Sequence, residues 1–576
     1  MYWRYFLWNF SGRQNDIQGQ GEIQNGNWLS GLNFIDGPRL GSQENLPDRM
    51  KANEGRNVYF GIPLILGICG LFWLSKKDKS ALILVSTVFF FTGIAIILYL
   101  NQDPLQVRER DYAYTGSFYA FAIFIGFGVF FLQDNFSKLM NPKWSLMLVT
   151  AFCMLTVPLR MATQNWNDHD RSAKTTALDW ARNYLNSCEK DAILFTNADN
   201  DTYPLWYAQE VEGIRTDIRV ISLQFLQDPS FINQLRKPLN ESPAIPMQMK
   251  EEQYVDGVRD YLPYVDYGIK DSVELKDLLA VMTSENKSDQ VEMADGTFMN
   301  FLPARKLKMT IDANELVQTG TLPADEIHKA ASSMEWTFKK NYAGKGDLAL
   351  FDILVQNNWK RPIYFATSVS EDSYAGMDDY LYLEGYAYRL LPISHEKEEL
   401  QGKRERTNTA VLYKNMMEKL DFAGFKKSAY LDPESRRILN STWELNNTLT
   451  ANLIKEGRSK EAGLVLNKGL DQLPLRNYNV SDTLYRMYTV QNLYALNRTQ
   501  EAEQLARQTA GFLEQEFNYV YTLPPDFQRR YLQEIRFGLA ILNGLEDISK
   551  GYKRDKLSIE LRQQFMKAAD RFGIKV

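Results

Sequence analysis

Four long apolar stretches crowd between residues 58 and 162 of a 576-residue chain, and no other feature limits its fold so strongly. Residues 58–75 (VYFGIPLILGICGLFWLS) and 81–100 (ALILVSTVFFFTGIAIILYL) carry no charged side chain. A bilayer core calls for about 20 apolar residues in helix, because lipid offers backbone amides no partner and a helix pairs them internally. Only Lys76, Lys77, Asp78, Lys79 and Ser80 separate the two stretches, as in a tight helical hairpin. A third runs over 116–132 and a fourth over 144–162. The fourth opens on Trp144, an aromatic at headgroup depth, and closes near Arg160, which can snorkel. A buried core helix is the competing reading of any one stretch, but four in such close succession predict a membrane protein.

Four spans return the chain to the side on which it began, so 1–56, the loop 101–115 and everything after 163 are expected on one face. The two loops on the other face hold Lys76, Lys77, Lys79, Lys138 and Lys143. The positive-inside rule places those loops in the cytoplasm and the large polar region outside it. The opening MYWRYFLWNF is six-tenths aromatic, without a basic n-region or a small-residue cleavage site. It reads as an interfacial helix or the tail of an earlier span rather than a signal peptide, and the chain is expected to begin partway through a larger membrane unit.

The mean hydropathy of -0.36 conceals this segregation. With a net charge of -5 and no long basic run, the chain lacks the electrostatic footprint that a phosphate backbone demands, so nucleic acid is not an expected partner. Cys69 and Cys153 lie in apolar stretches and Cys188 stands alone beyond them, which leaves no disulfide framework. His169, His328 and His395 have no metal-site spacing, so neither a metal nor a cofactor is expected.

Beyond the spans, Thr175 to Leu185 places Ala177, Leu178, Ala181 and Leu185 on one helical face. The run 191–197 reads as a strand, YPLWYAQEVEG as a helix and 217–223 as a second strand, which is the unit of a parallel sheet. Further strands are expected at 305–311, 361–368 and 385–391. An α/β domain is assigned to 164–430, after a polar segment 1–56 and a transmembrane region 57–163. From 431 to 576 strand signals vanish. There, Asn452 to Ala462 (NLIKEGRSKEA) aligns with Asn492 to Ala502 (NLYALNRTQEA) at an offset of 40 residues, sharing Asn, Leu, Arg, Glu and Ala. A turn followed by Glu-Ala at the next helix start is the pattern of a tetratricopeptide-like hairpin; chance likeness of two helical hairpins is the alternative.

Three polar motifs are candidates for chemistry. Asp199-Asn200-Asp201 follows a strand, where two carboxylates can hold a divalent cation, but helix capping is the better-supported reading for a lone pair of this kind. In the loop between the second and third spans, Arg108 and Arg110 can fork onto a phosphate, with Tyr112 beside them, while Glu109 and Asp111 can neutralise the arginines or orient an acceptor hydroxyl. A self-paired salt-bridge loop is the competing reading. The segment Gly12-Arg13-Gln14-Asn15-Asp16 is expected on the same face, where Arg13 and Asn15 can bind substrate and Asp16 can assist in catalysis.

The strings WRYFLWNFSGRQND, PLQVRERDYAYTGSFYAF, NDHDRS, ILFTNADNDTYPLWYAQEVEGIRTDIRV, NNWKRPIYFA and EGYAYRLLP together resemble a family of large Bacteroidota membrane proteins. That family is related to the protein O-mannosyltransferases of the endoplasmic reticulum and is classed as glycosyltransferase family 117. The resemblance covers residues 1 to about 400. It implies a GT-C-like helical bundle, of which this chain supplies the rear portion, followed by the α/β domain and the tetratricopeptide-like region. It further implies a bilayer-embedded enzyme of the inner membrane with a periplasmic soluble region, moving a sugar from a polyprenyl-phosphate donor to Ser/Thr of an acceptor protein. Asp16, Glu109 and Asp111 are then the candidate acids, and Arg13, Asn15, Arg108, Arg110 and Tyr112 the candidate binding residues. A membrane-anchored scaffold whose hairpins bind a partner protein is the second expectation, and a nucleotide-sugar enzyme using Asp199 and Asp201 a distant third.

Overall fold

The computed structural model describes residues 2–101, 103, 108–293, 296–393, 406–428 and 430–574; His395 lies outside them. Three helices among the described residues are long and apolar enough to cross a membrane: Lys79–Leu100, Asp111–Phe136 and Pro142–His169. The first apolar stretch forms a shorter helix, Ile62–Lys77, of 16 residues. It ends at Asp78, whose carboxylate accepts the backbone N–H groups of Ser80 and Ala81 at 3.0 Å each and so caps the next helix. One residue thereby stops one helix and starts another. Further on, the helix beginning at Pro142 passes through a π-turn, Leu155–Leu159, at Pro158, which has no amide proton to donate.

Helix Ile62–Lys77 meets helix Thr115–Phe136 backbone to backbone. A Cβ on Gly70 would stand 1.8 Å from the Phe124 carbonyl oxygen, and one on Gly128 would stand 2.2 Å from that of Leu66. In an apolar solvent there is no hydrophobic drive to hold helices together, so close approach through small residues supplies the attraction. Helix Tyr2–Phe10 lays Tyr2, Tyr5, Phe6 and Phe10 into the same core, against Tyr114, Phe121 and Phe124.

The chain divides into two compact units. The first holds Met1–Lys174, Phe425–Asn447 and Leu473–Val576. In it, the two-residue strand Gly12–Arg13 pairs antiparallel with Asn57–Val58, which closes the polar segment between them into a loop. That loop is bound to the C-terminal helices: Arg49 forks onto Glu516, Nε to Oε1 at 2.6 Å and Nη2 to Oε2 at 3.0 Å. Beyond residue 431 the described residues contain helices and no strand. The two aligned segments turn alike. Gly457 (φ 77°) and Asn497 (φ 61°) occupy the left-handed region at equivalent positions. The next residue, Arg458 or Arg498, donates its N–H to the carbonyl of Leu453 or Leu493 at 2.9 Å. Ala462 and Ala502 are both fully buried, as close helix approach requires.

The second unit holds Thr175–Gly424 and Thr448–Gln472. Its main sheet comprises β1 (Ile193–Thr196), β2 (Arg219–Ser222), β3 (Ile363–Ala366), β4 (Leu381–Leu383) and β5 (Ala387–Leu390), in the order β4-β5-β3-β1-β2. β3, β1 and β2 run parallel, and helix Asp199–Glu210 is the crossover between β1 and β2. Every residue of these three strands is buried, which is why they read as continuous apolar runs. The expected strand at 305–311 forms as Lys306–Thr310 but joins a separate three-stranded sheet. Helix Thr176–Ser187 buries Trp180, Tyr184 and Ser187 beside Ala181 and Leu185, while Ala177 is exposed. The aromatics outweigh a small alanine, because each removes several times its apolar area from water.

Enlarging Gly70 to Val should force the two helices apart, since overpacking costs about 1–3 kcal/mol. A lowered unfolding midpoint of the detergent-solubilised chain is the expected outcome, and an unchanged midpoint would contradict the backbone contact.

Candidate functional site

Helix Tyr2–Phe10 carries Arg4, Tyr5 and Trp8 at spacings that put them side by side at the border of the apolar core. Glu109 reaches this helix from the loop that precedes Asp111. Its Oε2 accepts Arg4 Nη2 at 2.7 Å and the Tyr5 hydroxyl in a short bond, and its Oε1 accepts the Gly19 N–H at 3.1 Å. Arg4 Nη1 donates to the Gly19 carbonyl at 2.8 Å, so one arginine and one glutamate hold opposite ends of the same glycine. The Arg110 N–H donates to the Tyr5 hydroxyl at 3.3 Å.

Trp8 lies between two guanidinium groups, Arg13 at 4.2 Å and Arg4 at 5.4 Å from its ring centroid. Its indole N–H is buried without an acceptor, as are Nε of Arg4 and Nε of Arg13. The Arg13 side chain has no ion-pair or hydrogen-bond partner among the described residues. Unmade bonds of buried donors cost about 1–3 kcal/mol each. Arg13, whose charge meets no carboxylate among the described residues, is therefore the group of this cluster left to attract an anion. Arg4, Tyr5 and Trp8 are absent from the sequence-derived candidates; their i, i+1, i+4 spacing beside the aromatic run was the available signal.

The remaining candidates divide into two groups. Asn15 holds the loop itself: its Nδ2 donates to the Gln24 carbonyl at 3.0 Å and its Oδ1 accepts the Gly26 N–H at 3.0 Å. Asp16 is buried and fully engaged, accepting Arg436 Nη1 at 3.1 Å and Nη2 at 2.8 Å, the Tyr430 hydroxyl at 2.6 Å and Asn53 Nδ2 at 2.9 Å. On the loop, Arg108 and Tyr112 are exposed, and Asp111 opens a single 3-10 turn, Asp111–Tyr114. Glu109 is bonded to Arg4, Tyr5 and Gly19, whereas Asp16 is bonded to Asn53, Tyr430 and Arg436, so the two acids belong to separate clusters.

Burial pushes the Asp16 carboxyl up, but the Arg436 charge and the bonds from Tyr430 and Asn53 outweigh it and hold the group below its ordinary value of 3.8. Burial and the Asp16 charge push the Tyr430 hydroxyl up. In the second unit Asp201 accepts the N–H groups of Asn197 and Ala198 at 2.8 Å each and the Ser368 hydroxyl at 2.5 Å. Those bonds make it the first-turn residue that caps helix Asp199–Glu210 by reaching back to the N-cap, Ala198. No group of three acidic, histidine or cysteine side chains suited to a metal occurs among the described residues.

Residues 177–411 match the family model described as TMEM260-associated domain 2, a stretch contained in the second unit. No curated protein and no solved structure matches the chain.

Asp16 has a lowered folded pKa, so its stabilisation is complete above the ordinary carboxylate value and is lost as pH falls through the folded one. Asp16→Asn should leave Arg436 a buried cation with only Glu54 at 3.9 Å, costing about 3–5 kcal/mol near neutral pH and flattening this acid-side loss. Thermal unfolding across pH checks both outcomes. Asp201→Ala should cost about 0.5–2 kcal/mol through the lost cap, with no response of either form to magnesium or chelator in the same assay.

Proposed function

We propose that this chain is part of a membrane-embedded protein O-glycosyltransferase that moves a sugar from a polyprenyl-phosphate donor to Ser/Thr of exported proteins. The observation that carries the reading is the donor-rich cluster at helix Tyr2–Phe10. Arg13 stands over the Trp8 ring at the border of an apolar core, and the phosphate of a lipid-linked sugar is assigned to this guanidinium. Glu109 fixes Arg4 and the Gly19 loop, a positioning role. Asp111 is the candidate acid whose carboxylate has no partner among the described residues, and it is the one we assign to the acceptor hydroxyl. Arg108, exposed on the same loop, and Arg110 would add to the phosphate site. The match of residues 177–411 to a domain named for TMEM260 fits a glycosyltransferase-related membrane protein.

The topology belongs to this proposal. Bonds from Asp16 to Arg436 and from Arg49 to Glu516 join the segment before the apolar helices to helices after them. Both ends then lie on one face, and the crossings between them must be even in number. Three helices meet the length criterion, so the 16-residue helix Ile62–Lys77 would supply the fourth span. The lysines of the two opposite loops favour an inner-membrane protein with its soluble part in the periplasm. The alike turns at Gly457 and Asn497 support a tetratricopeptide-like region that meets the acceptor protein.

Arg13→Ala and Arg108→Ala, each in the full-length protein, should reduce glycan transfer to periplasmic proteins by about 100-fold or more without loss of expression, as for removal of a preorganised charge-stabilising donor. Unchanged transfer in both would sink the phosphate assignment. A scaffold role is favoured by one observation, that Asp16 and Glu109 are both consumed by internal bonds. It predicts that gene deletion leaves the periplasmic glycoproteome intact while a co-purifying complex is lost.

A further inference from the structure

The polar segment between helix Tyr2–Phe10 and the first apolar helix contains a turn whose apolar residues face outward. Leu32, Phe34 and Ile35 are all exposed, Phe34 by 76%, at the start of the eight-residue helix Asn33–Leu40. Leu40, at the other end of the same helix, is buried, so the helix has an inner face that these three do not use. Apolar side chains scattered singly on a surface need no explanation, but three within four residues do.

Buried bonds hold this turn in shape. The buried Asp36 carboxylate accepts the Ser30 N–H at 3.0 Å, the Gly31 N–H at 2.9 Å and Arg39 Nη2 at 3.2 Å. Arg39 in turn donates to the Trp28 carbonyl at 2.7 Å and lies 3.8 Å from the centroid of the Trp28 ring. A backbone fixed in this way keeps its apolar side chains on the outside.

The position of the turn indicates what covers it. Gly31 packs on the residues that lead into helix Ile62–Lys77: a Cβ there would stand 2.2 Å from Val58 Cγ1 and 2.8 Å from Phe60 Cδ1. Phe60 is itself exposed, and the helix that follows it turns Ile65, Ile68 and Phe72 outward at i, i+3 and i+7, one face of a helix. Arg160 lies over the Phe60 ring at 4.6 Å and donates Nε to the Val58 carbonyl at 3.0 Å, which sets a cation at the end of the apolar helices, where lipid headgroups lie. The exposed apolar surface therefore runs on from the helix end to the turn.

We propose that the turn Ser30–Ile35 inserts Leu32, Phe34 and Ile35 into the bilayer interface beside helix Ile62–Lys77. The boundary between headgroups and acyl chains accommodates Phe and Leu side chains to a depth of about 5–10 Å. The Leu29 N–H donates to the Gly12 carbonyl at 2.8 Å, so the turn is bonded to the strand that carries Arg13, and its insertion fixes the height of that guanidinium over the lipid. The inference rests on the reading that the apolar helices cross a membrane, and not on glycosyl transfer.

The test places a nitroxide at one position at a time in the full chain, in nanodiscs of phosphatidylethanolamine and phosphatidylglycerol. It reads collisions with oxygen, which concentrates in lipid, and with a water-soluble nickel chelate. Cys69→Ala removes the partly exposed native thiol, Cys153 and Cys188 being buried. Phe91→Cys, at a residue 63% exposed on helix Lys79–Phe91, supplies the lipid reference, and Lys556→Cys, on the exposed start of helix Asp555–Arg571, the water reference. Phe34→Cys and Leu32→Cys should each match the lipid reference, losing most of the chelate collisions seen at position 556 and keeping those with oxygen. Both replace exposed side chains, so the unfolding midpoint should be retained, and either position alone carries the test. Free access of the chelate to both, with position 91 still shielded, would overturn the insertion and leave the membrane reading standing. Exclusion of both oxygen and chelate would mean that a protein surface covers the turn, and would overturn it equally. Chelate access at position 91 would overturn the membrane reading and the insertion with it.

Discussion

A backbone amide in hydrocarbon can bond only within its own chain, and the architecture of helices long and apolar enough to cross a membrane follows from that constraint. It makes the apolar stretches helical, from Ile62–Lys77 to Pro142–Met154, with Asp78 capping the second helix at the hairpin between the first two. It also explains why Gly70 and Gly128 matter more than the leucines around them. Where the solvent is as apolar as the side chains, helices hold each other by close packing rather than by escaping water, and a glycine brings two backbones closest.

The polar segment that follows helix Tyr2–Phe10 obeys a different economy of bonds. With little apolar content of their own, residues 12–26 are shaped by side-chain amides: Gln14 donates to the Ile23 carbonyl at 2.9 Å, and Asn15 donates to the Gln24 carbonyl and accepts the Gly26 N–H. A scaffold of this kind is rigid only while each amide is paired, and two buried ion pairs, Asp16 with Arg436 and Arg49 with Glu516, fasten it to helices over 400 residues away in sequence. The same fastening presents Arg13 and the Gly19 turn to helix Tyr2–Phe10, where Glu109 and Arg4 grip opposite sides of Gly19.

Legibility in the sequence followed the range of the interactions involved. The parallel strands were readable at 191–197, 217–223 and 361–368 because burial on both faces leaves an unbroken apolar run. The capping role of Asp201 was readable because it is decided within four residues. The strand at Lys306–Thr310 was readable as a strand, but its membership of another sheet was not, since sheet order depends on partners far along the chain. Ala177 was misplaced on the buried face because periodicity counts an alanine as apolar without weighing it against Trp180 and Tyr184.

By itself the sequence determined the membrane-suited helices, the strand–helix–strand core and the polar residues available for chemistry, because hydropathy and period are local properties of neighbouring residues. It could not show which of those polar residues were already committed. Asp16 looks as free as Asp111 in one dimension, yet one is saturated by Arg436, Tyr430 and Asn53 while the other opens a turn. Arg4, Tyr5 and Trp8 look like part of an apolar helix until Glu109, about a hundred residues later, folds back onto them. Only tertiary structure decides such matters, because a buried charge is spent or left available by partners that sequence distance does not reveal.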